Sequence, residues 1–124
     1  MSDLLLDINL QQLPDDYFVG DWQVASRVLN RNAATTPLAR ASRLVLTPEA
    51  LETRVPDNSG HQAEAGSWAV IRDELMNRPY LSFSLPEEET RALVTRLRRS
   101  LDGLSSQLNL YFSSGMEMQL NRAF

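Results

Sequence analysis

The stretch QLNLYFSSGMEMQLNR, residues 107–122, contains two alternating apolar segments separated by a short polar turn. Apolar side chains recur at every second position on both sides of the turn, a period typical of half-buried β-strands. The three intervening residues end in Gly115, and a hairpin loop of this length closes through a glycine in the left-handed region. The loop length fixes the register and places Phe112 opposite Met116. Two further pairs on the same face are predicted: Leu110 with Met118, and Leu108 with Leu120.

The same period of two recurs upstream, between four stretches whose composition predicts loops. The four predicted loops are residues 29–37, 56–66, 72–79 and 113–115. Short strands between them each place a set of side chains on one face. These sets are Trp22, Val24, Ser26 and Val28; Leu44 and Leu46, followed after a turn by Leu51, Thr53 and Val55; Trp68 and Val70; and Leu81, Phe83 and Leu85.

Residues 86–103 fit two structures. The segment opens with proline and three glutamates and ends at Gly103, which is a helix capping pattern. Val94, Leu97, Leu101 and Leu104 also fall at helical spacing. The run ALVTRL nevertheless alternates, and a strand here would lead through a short turn into the hairpin at 107–122. Both structures stay open, with the strand slightly favoured because tertiary pairing can override helix propensity.

Together these segments predict a mainly β protein. Seven short strands, or eight with the ambiguous one, indicate a small antiparallel up-and-down β-barrel, with one helix near residues 87–101 as the variant. Closure of the sheet removes the exposed edges that an open sheet would present. The 124 residues are enough for one barrel domain, residues 1–124, with a single continuous core.

Charge and composition exclude several classes of function. The net charge is −4, which argues against a general nucleic-acid binder because such a protein needs a positive face to displace counterions. The chain has no cysteine, so disulfides, thiolate metal sites and cysteine nucleophiles are excluded. No apolar run approaches a membrane span, and residues 1–14 lack the features of a signal peptide. We therefore expect a cytoplasmic protein.

The residues that carry catalytic chemistry are few. His61 is the single histidine and lies in a stretch rich in Gly, Ser and Asn, where a solvated loop position is expected. A general base needs an orienting partner, and no nucleophile motif accompanies nearby Asp57 and Glu64. Neither metal-ligand spacing nor a glycine-rich phosphate loop is present. We expect a protein that is not an enzyme and that has no cofactor and no metal.

The start of the first long strand resembles a known family. Gly20-Asp21-Trp22, preceded by Pro14 and a short DDYF turn, is similar to the Gly-x-Trp start of lipocalin-like proteins, the calycin group of small β-barrels. The resemblance implies that residues 1–18 cross one end of the barrel and that Trp22 seals this end. It also implies that an arginine of the last strand, here Arg122, packs across the indole. We expect the guanidinium within about 6 Å of the ring centroid.

The predicted barrel leads to two hypotheses about function. In the first, a small apolar ligand lies inside the lipocalin-like barrel, because an eight-stranded barrel can hold one small ligand. In the second, the barrel core is solid and the surface binds a protein partner, with the arginine segment (Arg91, Arg96, Arg98 and Arg99) and the leucine-rich N-terminus as contacts. The interior residues expected to bind a ligand are Val24, Trp68, Val70, Phe83, Leu110, Phe112, Met116 and Met118.

Overall fold

Nine β-strands make up most of the described chain, which in this computed structural model comprises residues 5–28, 37–57, 60–72, 78–86 and 88–123. A four-residue 3-10 helix (Asp15–Phe18) precedes the second strand, and a short helix α1 (Pro37–Arg40) precedes the third. The strands are β1 (Leu5–Asp7), β2 (Gly20–Val28), β3 (Arg43–Leu46), β4 (Leu51–Asp57), β5 (Gly60–Ile71), β6 (Tyr80–Leu85), β7 (Glu88–Ser100), β8 (Ser105–Phe112) and β9 (Glu117–Ala123).

Strands β2 to β9 form a closed antiparallel barrel. Each strand pairs with the next along the chain, and β2 pairs with β9 to complete the ring of eight. Strand β1 lies outside this ring and pairs with the last part of β7. The predicted mainly β, up-and-down barrel is therefore confirmed, with β1 as a strand that the alternation pattern did not reveal.

The C-terminal hairpin has the predicted register. Leu110 lies opposite Met118 and Leu108 opposite Leu120. The backbone N–H of Phe112 donates to the carbonyl of Met116 at 2.8 Å, and Gly115 has a φ of 95°. A side chain at this φ would be strained, so the glycine is required by the turn.

The helical alternative for residues 87–101 is wrong, because residues 88–100 form β7. A β-bulge explains why the sequence also fits a helix. The register shifts between Val94 and Arg96, so Thr95 is an extra residue with no direct partner on β8. Val94 and Leu97 thus both face the interior although they are three positions apart, which imitates helical spacing.

The prediction of a loop at residues 56–66 is wrong, because most of this stretch belongs to strands β4 and β5. Strand β4 continues to Asp57 and β5 begins at Gly60, with Asp57 and Gly60 paired. Beyond Arg54 strand β4 has no partner on β3, and a proline such as Pro56 is tolerated in a strand paired on one side only. The turn at 113–115 is present. The other two predicted loops lie largely outside the described residues.

The barrel interior is filled with apolar side chains. Strand β5 changes partners at Gly66, where pairing passes from β4 to β6. A Cβ at Gly66 would overlap the carbonyl oxygen of Ser84, so the two strands approach too closely for any side chain there. Inward side chains that are at most 2% exposed include Leu44, Leu51, Leu81, Phe83, Val94, Leu97, Leu108, Leu110, Phe112, Met116, Met118 and Leu120.

Candidate functional site

One end of the barrel, where β2 begins and β9 finishes, is built around Trp22. The indole is fully buried. Its Nε1 donates to the carbonyl of Phe18 at 2.9 Å, so the 3-10 helix lies directly against the ring. Phe18 is fully buried as well. Pro14 precedes this helix and cannot donate a backbone hydrogen bond, which suits the first position before a helical turn.

Arg122 stacks on Trp22 as expected. Its Cζ lies 4.2 Å from the Trp22 ring centroid and 5.0 Å from that of Tyr17. Its Nη1 donates to the carbonyls of Tyr17 and Val19 at 2.8 and 2.6 Å. Burial lowers the pKa of Arg122, but an arginine starts so far above neutrality that it stays charged. Gly20 allows this packing, since a Cβ there would lie 2.7 Å from the Arg122 Cδ.

Residues 8–19 cross this end of the barrel from β7 to β2. Ile8 N–H donates to the Leu97 carbonyl on β7 at 2.9 Å. Midway, Arg72 at the end of β5 donates to the Leu10 carbonyl at 3.2 Å and binds the Asp15 carboxylate at 3.0 Å. The Tyr17 hydroxyl then meets the Ser106 hydroxyl on β8 at 2.8 Å. The crossing segment therefore covers the Trp22 end.

The opposite end is closed by α1, which sequence reasoning missed. Leu38 is fully buried and belongs to the same core cluster as the barrel interior. Its N–H donates to Glu88 Oε1 at 3.3 Å, at the start of β7. Arg27, at the end of β2, donates to the carbonyls of Ala39 and Ala41, and burial lowers its pKa. Pro37 at the first helical position is the signal that could have indicated this helix.

A β-bulge turns Arg27 toward this second end. The register between β2 and β9 shifts between Val24 and Ser26, so Arg27 lies opposite Met118, an inward position. Without the bulge, strict alternation would put Arg27 on the outer face. The polar guanidinium thus holds the helix over the barrel end while apolar residues fill the space below.

The structure brings the expected ligand-binding residues together in one core. Phe83, Leu110, Phe112, Met116 and Met118 are each at most 2% exposed, and the rings of Phe83 and Phe112 stack at 5.9 Å. Almost no surface beside them is open to a molecule the size of water. The remaining three, Val24, Trp68 and Val70, are half-buried and pack against this core.

Trp68 is held at the rim rather than deep inside. Trp68 pairs with Phe83 on β6, and its Nε1 donates to the Thr47 carbonyl in the β3–β4 turn at 2.6 Å. This hydrogen bond fixes an indole whose polar edge faces the end of the barrel.

Three depressions formed by the described residues lie on the outside of the barrel. The first, about 250 Å³, crosses β7, β8, β9 and β2 beside the two bulges. The second, about 370 Å³, is lined by Ser82, Thr90, Arg91 and Ser113 among others. The third, about 310 Å³, lies between the crossing segment and β7. All three have polar or charged side chains in their walls, unlike an apolar ligand cavity.

The described residues offer no group of three or more His, Asp or Glu side chains arranged to hold a metal ion. The backbone of His61 lies in β5, paired with Pro56, so its expected loop position is wrong. Its solvated, non-catalytic role stays a prediction. No helix within the described ranges is long and apolar enough to cross a membrane.

The described ion pairs lie on the surface. They join Asp21 with Arg43, Glu52 with Arg54, Asp15 with Arg72, and Asp7 with Arg96. Water and salt screen exposed pairs of this kind, so they orient surface side chains more than they stabilise the fold.

Comparison of the chain with protein-family models, with curated proteins and with solved structures finds no match. We therefore infer the function from the geometry of the barrel and its surface.

Proposed function

We propose that this protein is a non-enzymatic interaction module, a barrel with a solid core that binds a protein partner through its outer surface. The observation that carries the proposal is the burial of the inward side chains. Thirteen apolar strand residues from Leu44 to Leu120, together with Met116, are at most 2% exposed. A site for a small apolar ligand needs roughly 300 Å³ or more of enclosed space.

The ends of the barrel support the same proposal. The crossing segment covers one end and α1 the other, and both are tied down by arginine side chains that donate to backbone carbonyls. Leu13 in the crossing segment and Leu38 in α1 are buried in the core cluster, so an apolar ligand that entered beside either of them would have to displace it. The apolar-ligand hypothesis therefore ranks second, because it requires a rearrangement that the interaction hypothesis does not.

We also propose that the chain is a lipocalin-like barrel and that it works in the cytoplasm. The family proposal is supported by Gly20-Asp21-Trp22 at the start of β2, by the crossing segment, and by Arg122 stacked on Trp22. In this proposal the crossing segment closes the Trp22 end, as the lipocalin resemblance implies. The interior, which can hold a ligand in other eight-stranded barrels, is here filled with side chains.

The outer surface of β7 is the best candidate for the contact. The sequence pointed to two contact regions, the arginine segment and the leucine-rich N-terminus. Strand β1 brings them together, because Leu6 pairs with Arg99 and Asp7 with Arg98. Leu6, Leu101 and Leu104 are all more than half exposed near the end of β7.

Native mass spectrometry tests the solid core. Protein purified from its own host, and a second sample incubated with palmitate, would be measured under native and denaturing conditions. We expect no small-molecule adduct in either sample. A stoichiometric adduct that is released on unfolding would contradict the solid core and restore the ligand hypothesis.

A further inference from the structure

The turn between β7 and β8 contains the single Asp-Gly pair of the sequence, Asp102-Gly103. An aspartate followed by glycine rearranges to isoaspartate more readily than other aspartates, because glycine has no Cβ to shield its backbone nitrogen. Asp102 is exposed. Beyond its two chain neighbours, no described atom lies within 4 Å of a Cβ placed on Gly103. The nitrogen is therefore not protected by steric cover from the rest of the described chain.

The rearrangement needs no reactant other than water. The lone pair of the Gly103 nitrogen forms a bond to Cγ of the protonated Asp102 carboxyl group, and the bond from Cγ to the carboxyl hydroxyl breaks. The hydroxyl takes the proton of the Gly103 N–H and leaves as water, which gives a five-membered succinimide. Water then adds to one of the two ring carbonyls. Opening at Cγ restores aspartate, whereas opening at the main-chain carbonyl of Asp102 gives isoaspartate, whose main chain passes through Cβ and Cγ.

Hydrogen bonds in the folded turn hold both reacting groups. The Ser100 hydroxyl and the Leu104 N–H, the latter at 3.0 Å, donate to the same Asp102 carboxylate oxygen. The second of these bonds is an Asx turn. Ring closure moves Cγ to bonding distance from the Gly103 nitrogen and so pulls the carboxylate away from both donors. The Gly103 N–H, which has to lose its proton, donates to the Ser100 carbonyl at 3.0 Å.

The same hydrogen bonds make the Asp102 carboxyl group less reactive. The bond from the Ser100 hydroxyl, followed by that from the Leu104 N–H, lowers the pKa of Asp102. Hydrogen bonds to a carboxylate favour its charged form. The charged form has no hydroxyl to release and is a poor electrophile. The folded turn thus reduces the fraction of Asp102 that can react.

Ser100 connects this arrangement to the barrel. It is the last residue of β7 and is only 9% exposed. Its hydroxyl oxygen also accepts from the N–H of Ser105, the first residue of β8, at 3.1 Å. One hydroxyl therefore joins the Asp102 carboxylate to the ends of both strands. Asp102 is released only when these strand ends separate locally.

We propose that Asp102 is a site of isoaspartate formation that the Ser100 hydroxyl keeps unreactive in the folded protein. The site reacts when the β7–β8 turn opens, because opening frees the Asp102 side chain and the Gly103 nitrogen. The product has one additional carbon atom in the main chain of the turn and no longer carries the Asp102 carboxylate on Cβ. It therefore loses the hydrogen bonds from Ser100 and Leu104. This modification goes beyond the proposed function and does not depend on it.

The test compares the folded chain with the unfolded chain. Both samples are kept at neutral pH and body temperature, one in buffer and one in guanidinium chloride, and are then digested with trypsin. Residues 100–122 form one tryptic peptide, in which Asp102 is the single aspartate. Isoaspartate changes the retention of this peptide without changing its mass and prevents cleavage before residue 102 by endoproteinase Asp-N. We expect isoaspartate to form at least about tenfold more slowly in the folded chain.

Variants test the role of the Ser100 hydroxyl. In buffer, Ser100→Ala should form isoaspartate at least about fivefold faster than the parent chain. Ser100→Thr keeps the hydroxyl and should react as slowly as the parent chain. The matched control is Tyr17→Phe, which removes the hydroxyl that meets Ser106 on β8 and leaves the turn untouched. It should also react as the parent chain does. Thermal melting would show that each variant is folded.

Four outcomes would overturn the proposal. Equal rates in the folded and unfolded parent chain would show that the turn gives no protection, and absence of isoaspartate in guanidinium chloride would show that Asp102 is not a site. A folded Ser100→Ala that reacts as slowly as the parent chain would exclude the hydroxyl. Equal acceleration in Tyr17→Phe would indicate a general loss of stability. If Ser100→Ala does not fold, the two rates of the parent chain still decide whether folding protects Asp102.

Discussion

Arg122 is the one charged side chain that is buried within the described part of the chain, at 6% exposure. Its position follows from elementary chemistry. A guanidinium can lie flat on an aromatic ring while its edge donates hydrogen bonds, and here the rings belong to Trp22 and Tyr17 and the acceptors are backbone carbonyls. The residue thus joins the last strand to the crossing segment and to the first long strand.

Replacing Arg122 by lysine should destabilise the protein by about 1–3 kcal/mol. A compact ammonium cannot stack as a plane and also reach the carbonyls of Tyr17 and Val19. The free energy of unfolding would be measured by urea denaturation. Arg40→Lys, at an exposed site, is the control and should leave it unchanged. Equal stability of Arg122→Lys and the parent chain would mean that the stack does not hold the end of the barrel.

Asp102 gives a prediction for the pH dependence of stability. Hydrogen bonds from the Ser100 hydroxyl and from the Leu104 N–H, the latter at 3.0 Å, lower its pKa in the folded state. Its stabilising effect is therefore present above the unfolded pKa of about 3.9 and is lost as the pH falls through the folded value. Asp102→Asn should be less stable than the parent chain at pH 7, and the difference should shrink at pH 3. A difference independent of pH would contradict this assignment.

At the scale of single elements, local irregularities decide the shape of the barrel. The bulges at Ala25 in β2 and Thr95 in β7 each add a residue to one strand and reverse which side chains face inward. Gly66 lets β5 change partners from β4 to β6. Bulges and glycines of this kind give a sheet the curvature that closure needs.

Gly66→Ala should destabilise the protein clearly more than Gly103→Ala. A methyl group at Gly66 would overlap the backbone of Ser84, and a paired strand cannot move away without losing hydrogen bonds. Nothing lies within 4 Å of a Cβ at Gly103, so that substitution costs only about 1 kcal/mol for its φ of 74°. The midpoints of thermal unfolding would rank the two variants. A more damaging change at Gly103 would show that the close approach of β5 and β6 is not required.

These elements also show what the sequence could and could not predict. The hairpin at 107–122 was predictable down to its register, since alternation and turn length agree there. Strand β7 was ambiguous because the bulge at Thr95 makes Val94 and Leu97 look helical. Strand β1 pairs with a segment more than 90 positions away, as Leu5 opposite Ser100 shows, and no local pattern reveals such pairing.

At the scale of the whole molecule, the structure is a closed barrel filled with side chains and covered at both ends. Whether the barrel can hold a ligand depends on whether its interior is filled. The sequence alone could not decide this. Apolar inward faces are expected both for a ligand cavity and for a solid core, because periodicity gives the direction of a side chain and not the space left beside it. The row that Tyr80, Leu93 and Tyr111 form across β6, β7 and β8 was not predictable for a similar reason, since it forms only when three strands are in register.

Xenon binding followed by methyl NMR tests the solid core most directly. Xenon enters empty apolar cavities, so it reports enclosed space without requiring knowledge of a ligand. The Leu110→Ala variant is the positive control, since this truncation should open a cavity and destabilise the protein by about 2–5 kcal/mol. Spectra would be recorded on the parent chain and on the variant under the same xenon pressures.

We expect that the methyl signals of Leu108, Leu110 and Met118 do not shift with xenon in the parent chain. In Leu110→Ala, the signals of Leu108 and Met118 should shift and saturate. Saturable shifts of the three interior signals in the parent chain would contradict the solid core, because they would show an enclosed apolar space of the kind that a ligand occupies.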